Sequence, residues 1–139
     1  LPHIKFVFAG TGPLEPQLLG VDNIENVGFK SGEQLKLLIS EALFSICPSQ
    51  CYENCPFSVM ESQMYGTAVL GADIGGVPEL IKDEVTGELF ESGNIEQLKD
   101  KINSLYNDAQ RLDTYTKNCE QVTFDTVEQY TEKLLKIYR

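Results

Sequence analysis

Residues 43–76 read LFSICPSQCYENCPFSVMESQMYGTAVLGADIGG. Leu43–Cys47 is a short continuous apolar run that stops at Pro48-Ser49, and a polar loop, Gln50–Cys55, follows it. Pro56 then stands at the expected first helical position, where a missing N–H costs nothing. The helix is expected over Phe57–Tyr65. Gly66 is placed to end it, and Ala68–Ala72 is the next apolar strand, stopped by Asp73 and the Gly75-Gly76 pair. Buried strand, helix and buried strand in succession predict parallel pairing with a crossover helix.

The alternation continues in both directions. Upstream, Ile4–Ala9 (IKFVFA) reads as a buried strand running into the turn residues Gly10-Thr11-Gly12-Pro13, and Ile24–Phe29 as a second, weaker strand. Ser31-Gly32-Glu33-Gln34 has the spacing of a capping box opening a helix over Leu35–Ala42. Downstream, Pro78–Ile81 predicts a short helical turn, Gly87–Phe90 a last strand, and Asn94 the cap of a helix over Ile95–Tyr106. Helices over Ala109–Gln121 and Thr126–Tyr138 form a helical tail, 109–139. The predicted class is α/β: one domain, 1–139, with a Rossmann-like parallel sheet and helices on both faces. Such sheets bind ligands beyond the carboxyl ends of their strands, so the informative loops are Gly10–Pro13, Gly28–Ser31, Pro48–Pro56 and Asp73–Pro78.

The 139 residues carry 11 basic and 21 acidic side chains, a net charge of −10, with 42% hydrophobic content and a pI near 4.5. That composition suits a globular domain with a sizeable core. It excludes nucleic acid or an anionic membrane surface as the main partner, since both reward positive charge. No apolar run approaches the roughly 20 residues of a bilayer span, and no segment reads as a signal peptide, so this portion is expected to be cytoplasmic without inserting in a membrane. The chain begins at Leu1 and meets its first strand almost at once, which suggests a piece of a longer protein.

The chemistry concentrates in Glu53-Asn54-Cys55-Pro56-Phe57-Ser58-Val59-Met60-Glu61, two carboxylates separated by seven residues. The amides of Phe57, Ser58 and Val59 at the helix start, with the macrodipole behind them, make an anion site suited to a diphosphate. Glu61 lies about 7.5 Å further along the helix, beside the phosphates rather than on them. A carboxylate there accepts from neutral hydroxyls such as a ribose diol, and Glu53 could hold sugar hydroxyls on the other side.

This segment resembles the donor-binding signature of the retaining glycosyltransferases of family 4, the group 1 transferases with the GT-B fold. The resemblance extends over about residues 4 to 93, through the Gly10-Thr11-Gly12 loop, Ile24–Phe29, Cys47-Pro48-Ser49, the spaced Glu pair, Gly66-Thr67-Ala68-Val69, Asp73–Ile81 and Val85-Thr86-Gly87. It implies the C-terminal, donor-binding half of such an enzyme. Glu53 matches the Glu that contacts the donor sugar and is the expected catalytic residue; Glu61 matches the ribose-binding Glu. Asn54, Cys55, Pro56, Phe57 and Ser58 match the loop that approaches phosphates and sugar. Phe29 and Lys30 occupy the stretch that meets the base, Gly10 and Gly12 would admit close backbone approach, and Gly75 and Glu79 complete the expected donor set.

Several family features have no counterpart. A preceding strand and its basic Gly-Arg…Lys-Gly stretch do not appear, so Ile4–Ala9 and Leu43–Cys47 are expected to lack a central neighbour. Neither does an N-terminal domain that would bring the glycan or lipid acceptor and a catalytic-face His; His3 precedes the first strand and matches no such position. Where the family often has Trp before Tyr-Glu-Asn, Cys51 stands. The implied activity is transfer of a hexosyl group from a nucleotide sugar, with this portion inactive alone. No cofactor and no metal are expected. The alternatives are a nucleotide-sugar-binding module without turnover and a nucleotide-sugar epimerase of the same architecture.

Other readings of single motifs are weaker. Gly10-Thr11-Gly12 lacks the third glycine of the dinucleotide fingerprint, because Glu15 stands there. Cys47, Cys51 and Cys55 follow a C-x3-C-x3-C spacing that fits neither zinc nor iron–sulfur motifs and reads as reduced thiols. Asp73 after a strand could serve a receiver domain, yet the first strand supplies no acidic pair. Glu79 doubles as ordinary helix-start electrostatics.

Overall fold

The structure is a computed structural model describing residues 1–138. Its elements are β1 (Phe6–Ala9), β2 (Ile24–Gly28), α1 (Gly32–Ser40), β3 (Ser45–Cys47), α2 (Phe57–Met64), β4 (Val69–Asp73), α3 (Val77–Leu80), β5 (Gly87–Glu91), α4 (Ile95–Tyr106), α5 (Ala109–Cys119) and α6 (Val127–Ile137). A 3-10 turn over Glu15–Leu18, unforeseen in the sequence, joins β1 to β2. Among the described residues, no helix is long and apolar enough to cross a membrane.

Every strand pairing is parallel and the class is α/β, but the sheet is interrupted. β1 pairs with β2, and β3, β4 and β5 form a second sheet in that order. The second edges of β1 and β3 carry no ladder among the described residues. Both sheets still feed one apolar cluster, in which Ile4, Leu70, Ala72 and Phe90 are buried and Phe6, Phe44 and Ile46 pack against them. One strand laid between β1 and β3 would complete a single doubly wound sheet.

The interruption corrects the expectation of a buried strand over Ile4–Ala9. Pairing begins only at Phe6, because the Ile4 amide closes a turn on the Leu1 carbonyl at 3.1 Å and Asn23 takes the Ile4 carbonyl at 2.7 Å. Val7 and Phe8 are 48% and 43% exposed, as befits a strand open along one edge. β4 is the opposite case: Val69, Leu70, Gly71 and Ala72 are all buried between two neighbours. That burial needs close approach. A Cβ on Gly87 would lie 2.0 Å from the Val69 carbonyl oxygen, so the β4–β5 spacing depends on a residue without a side chain.

Helix α2 turns Val59, Ser62 and Gln63 inward. Ser62 Oγ donates to the Ser58 carbonyl at 2.7 Å and accepts from Ser45 Oγ at 2.9 Å, and Gln63 Nε2 donates to the Leu80 carbonyl at 2.9 Å, so the helix is tied to β3 and α3 through polar groups. Gly66, at φ +78°, terminates it in the predicted left-handed cap. The caps of Asn94 and Thr126 form as their sequences indicate, the latter as a full capping box, and Asp108 adds another at α5. The capping box expected at Ser31 does not form: Gly32 enters α1 at φ +55°, and Ser31 makes no side-chain cap bond. Pro56 is the N-cap of α2 rather than its first residue.

The tail divides. α5 docks through Leu112, Tyr115 and Cys119, whereas α6 buries no residue. α4 and α5 are fastened to β5 by Glu88, which is 4% exposed and accepts from Lys101 Nζ at 2.8 Å and Arg111 NH1 at 3.0 Å, with Tyr115 OH at 3.4 Å. Nothing in the sequence marked this buried carboxylate.

Gly87→Ala should lower stability by about 2–3 kcal/mol, the cost of overpacking against backbone, read as a drop in the thermal midpoint; an unchanged midpoint would contradict the tight β4–β5 approach. Burial, with Glu88 nearby, pushes the Tyr115 hydroxyl from 10.0 to about 12, and burial pushes the Cys119 thiol from 9.0 to about 11. Both shifts are upward, so each contribution is whole below the unfolded value and disappears as pH rises through the folded one. Thermal stability should therefore decline between pH 9 and 12, the span of those values. Tyr115→Phe should flatten the upper part of that decline.

Candidate functional site

The loops that follow β3 and β4 meet at Glu53, and the loop after β5 reaches Ser49. The Glu53 carbonyl accepts from the Gly76 amide at 2.7 Å. Gly75, at φ +57°, would place a Cβ 2.6 Å from the Glu53 carbonyl oxygen, and Gly76 would place one 2.0 Å from that of Asn54. The two glycines are thus what lets the β4 loop lie directly on the Glu53-Asn54 backbone. Gly75 was counted among the expected donor residues; Gly76, held more tightly, was read only as half of the pair that stops β4. On the side chain, Glu53 Oε1 accepts from Ser49 Oγ at 2.9 Å, with Cys51 Sγ at 3.8 Å. Among the described residues no donor reaches Oε2.

Three residues on, α2 opens at Pro56, whose ring leaves no side-chain cap for the first amides. The Val59 amide, expected to be free, closes the first turn on the Pro56 carbonyl at 3.0 Å. The Phe57 and Ser58 amides have no acceptor among the described residues. Two amides rather than the expected three are therefore left free at the start of the helix, with its dipole behind them. Pro56 is buried, while Asn54, Cys55, Phe57 and Ser58 are exposed. The Cys55 thiol lies 3.4 Å from the Met60 sulfur. Glu61 is half-buried on α2, and no hydrogen bond from the described residues reaches its carboxylate.

The other predicted residues lie on neighbouring strand ends. Gly10 follows β1 at φ +143°, with its amide on the Gly28 carbonyl at 2.9 Å, and both Gly10 and Gly12 have open space where a Cβ would go. Phe29 is 74% exposed beyond β2, and Lys30 is half-buried. Glu79 is exposed in the first turn of α3. Together with Tyr52 at 87% and Phe57 at 73% exposure, Phe29 leaves the strand ends as an open face.

An open surface depression lies elsewhere. It has a volume of about 530 Å³ and lies between β5, α4 and α5, lined by Glu88, Asp100, Lys101, Ser104 and Arg111 among others. Of its lining residues only Asn94 belongs to a strand-end loop, the one after β5. Both of its cations, Lys101 and Arg111, are paired with Glu88. All four cysteines are free thiols: Cys51 and Cys55 exposed, Cys47 half-buried, Cys119 buried. Among the described residues no three His, Cys, Asp or Glu side chains gather as a metal-binding group.

The profile of the glycosyl transferases group 1 family matches residues 1–122. The chain is 31% identical over 106 residues to the amylovoran biosynthesis glycosyltransferase AmsK of Erwinia amylovora, covering 68% of this chain and 26% of that protein. It is 32% identical over 88 residues to the alpha-maltose-1-phosphate synthase of Mycobacterium tuberculosis, 59% of this chain and 22% of that one. The chain thus spans about a quarter of the length of these curated relatives. In three dimensions it is similar to Anabaena HepE in complex with UDP-glucose, with a TM-score of 0.84 at 22% identity over 99% of this chain and 42% of that one. A sucrose-phosphate synthase from Thermosynechococcus elongatus matches with a TM-score of 0.76 at 26% identity, over 91% of this chain and 32% of that one.

A thiol-alkylating reagent at neutral pH should label Cys51 and Cys55 first and Cys47 slowly, since burial pushes the Cys47 thiol up. Cys119 should react only on unfolding. A mass-spectrometric time course in which Cys119 reacts as fast as Cys51 would contradict its burial.

Proposed function

The chain belongs to the glycosyl transferases group 1 family, and from that membership we propose that it is the donor-binding, C-terminal portion of a retaining, family 4 glycosyltransferase of the GT-B fold. The reaction is transfer of a hexosyl group from a nucleotide-diphosphate sugar to a hydroxyl of a glycan, lipid or small acceptor. The observation that carries this reading is the juxtaposition at the start of α2: two unclaimed amides, the macrodipole, and a carboxylate whose backbone is pinned by Gly76.

Each part has a physical task. The Phe57 and Ser58 amides and the helix dipole stabilise negative charge as the nucleoside diphosphate departs. Glu53 accepts hydrogen bonds from donor-sugar hydroxyls and fixes the anomeric carbon relative to the acceptor, a matter of positioning. Glu61, with its carboxylate unclaimed, accepts from the ribose diol. Phe29 and Lys30 border the base, with Gly10, Gly12 and Glu79 at the rim. The remaining diphosphate charge falls to basic groups outside residues 1–139, and no metal or cofactor is given a role. The acceptor is brought by a further domain. The portion works on the cytoplasmic side, near a membrane only through other parts of the protein. Support for a nucleotide-sugar donor comes from the shared fold of a protein holding UDP-glucose.

The test is calorimetry on the full-length protein with UDP, GDP and their sugars. Glu61→Ala should weaken nucleotide binding about tenfold to a hundredfold, the value of one or two hydrogen bonds to a charged group. Failure of any nucleotide to bind the unsubstituted protein disproves the reading. Tight nucleotide-sugar binding without transfer to any acceptor would favour a module without turnover.

A further inference from the structure

The hydroxyl of Ser49 has one proton and three neighbours: Glu53 Oε1 at 2.9 Å, the Cys51 carbonyl at 3.4 Å and Cys51 Sγ at 3.4 Å. Only the first combines a normal hydrogen-bond length with a charged acceptor, so the proton goes to Glu53. The Cys51 thiol is then free to donate, toward Ser49 Oγ or toward the same Oε1 at 3.8 Å. Ser49 is itself held from another strand end: its carbonyl accepts from Ser92 Oγ, which follows β5, at 3.0 Å. Ser92 thus holds Ser49, Ser49 holds one oxygen of Glu53, and Gly76 holds the Glu53 backbone. The carboxylate is thus held by its own loop, which the loops after β4 and β5 brace at the Glu53 and Ser49 backbones, and its second oxygen has no donor among the described residues.

We propose that Ser49 is a positioning residue for the sugar-binding carboxylate: by occupying Oε1 it fixes the Glu53 rotamer and presents Oε2 alone to the donor sugar. This rests on the functional reading above and deepens it. A carboxylate free to rotate would offer either oxygen in many poses, and each hydroxyl contact would first have to overcome that freedom. The Ser92 bond makes the arrangement rigid because the anchor lies on a different strand end from the carboxylate it serves. Cys51 supports it more weakly, as a thiol donor at long range.

The experiment uses the full-length protein, a panel of UDP- and GDP-hexoses as donors, and the matching free nucleotide. Ser49→Ala should lower kcat/KM for transfer about tenfold to a hundredfold, mainly in kcat, while affinity for the free nucleotide stays within about twofold of the unsubstituted protein. Ser49→Thr, which keeps the hydroxyl, should recover most of the rate. Ser92→Ala should give a smaller loss of the same kind. Wild-type kcat/KM in Ser49→Ala overturns the proposal. So does an equal loss of free-nucleotide and nucleotide-sugar binding, which marks a structural role only. Absence of transfer by the unsubstituted protein with every donor overturns the functional reading itself, and this inference with it.

Discussion

The hydrogen bond from the Gly76 amide to the Glu53 carbonyl, 2.7 Å long, is the constraint on which the strand-end site depends. It exists because neither Gly75 nor Gly76 has a side chain to hold the β4 loop away from the β3 loop. Without that approach, Glu53 would sit on a long polar loop with no tertiary partner for its backbone. With it, the carboxylate stands at a fixed height above the start of α2. The parallel topology supplies the rest, since β3, β4 and β5 all end on the same side.

Much of this was legible in the residues. The apolar run before Pro48, the helix between Pro56 and Gly66, and the continuous run of β4 set the strand–helix–strand unit by composition and turn chemistry alone. The caps at Asn94 and Thr126 were equally local and formed as read. The stretch from Glu53 to Glu61 falls on the loop and the helix where the sequence placed it, because both ends of that stretch are set by short-range signals.

What could not be read depended on the backbone conformation taken or on distant partners. Ser31 has the right neighbours for a capping box, but the backbone of Gly32 takes a positive φ and the cap is lost. The Val59 amide looked free because the sequence does not say that Pro56 would offer its carbonyl. Glu88 reads as an ordinary strand acid, and only the folding of α4 and α5 over it brings Lys101 and Arg111 to its oxygens. Ser49 and Ser92 are 43 residues apart, and no periodicity links them.

The divided sheet also has a bearing on motion. β4 is walled in on both sides, so its amides exchange with solvent protons only when the whole molecule opens. The β1–β2 ribbon shares a single ladder and exposes half of Val7, and a two-stranded ribbon has little to hold it shut. On that ground the β1–β2 ladder should exchange its amides faster than β4, and the loop after β1 goes with it. A ligand resting on Gly10 and on α2 at once would link the quick part to the slow one, and its arrival would be felt as a quieting of the ribbon.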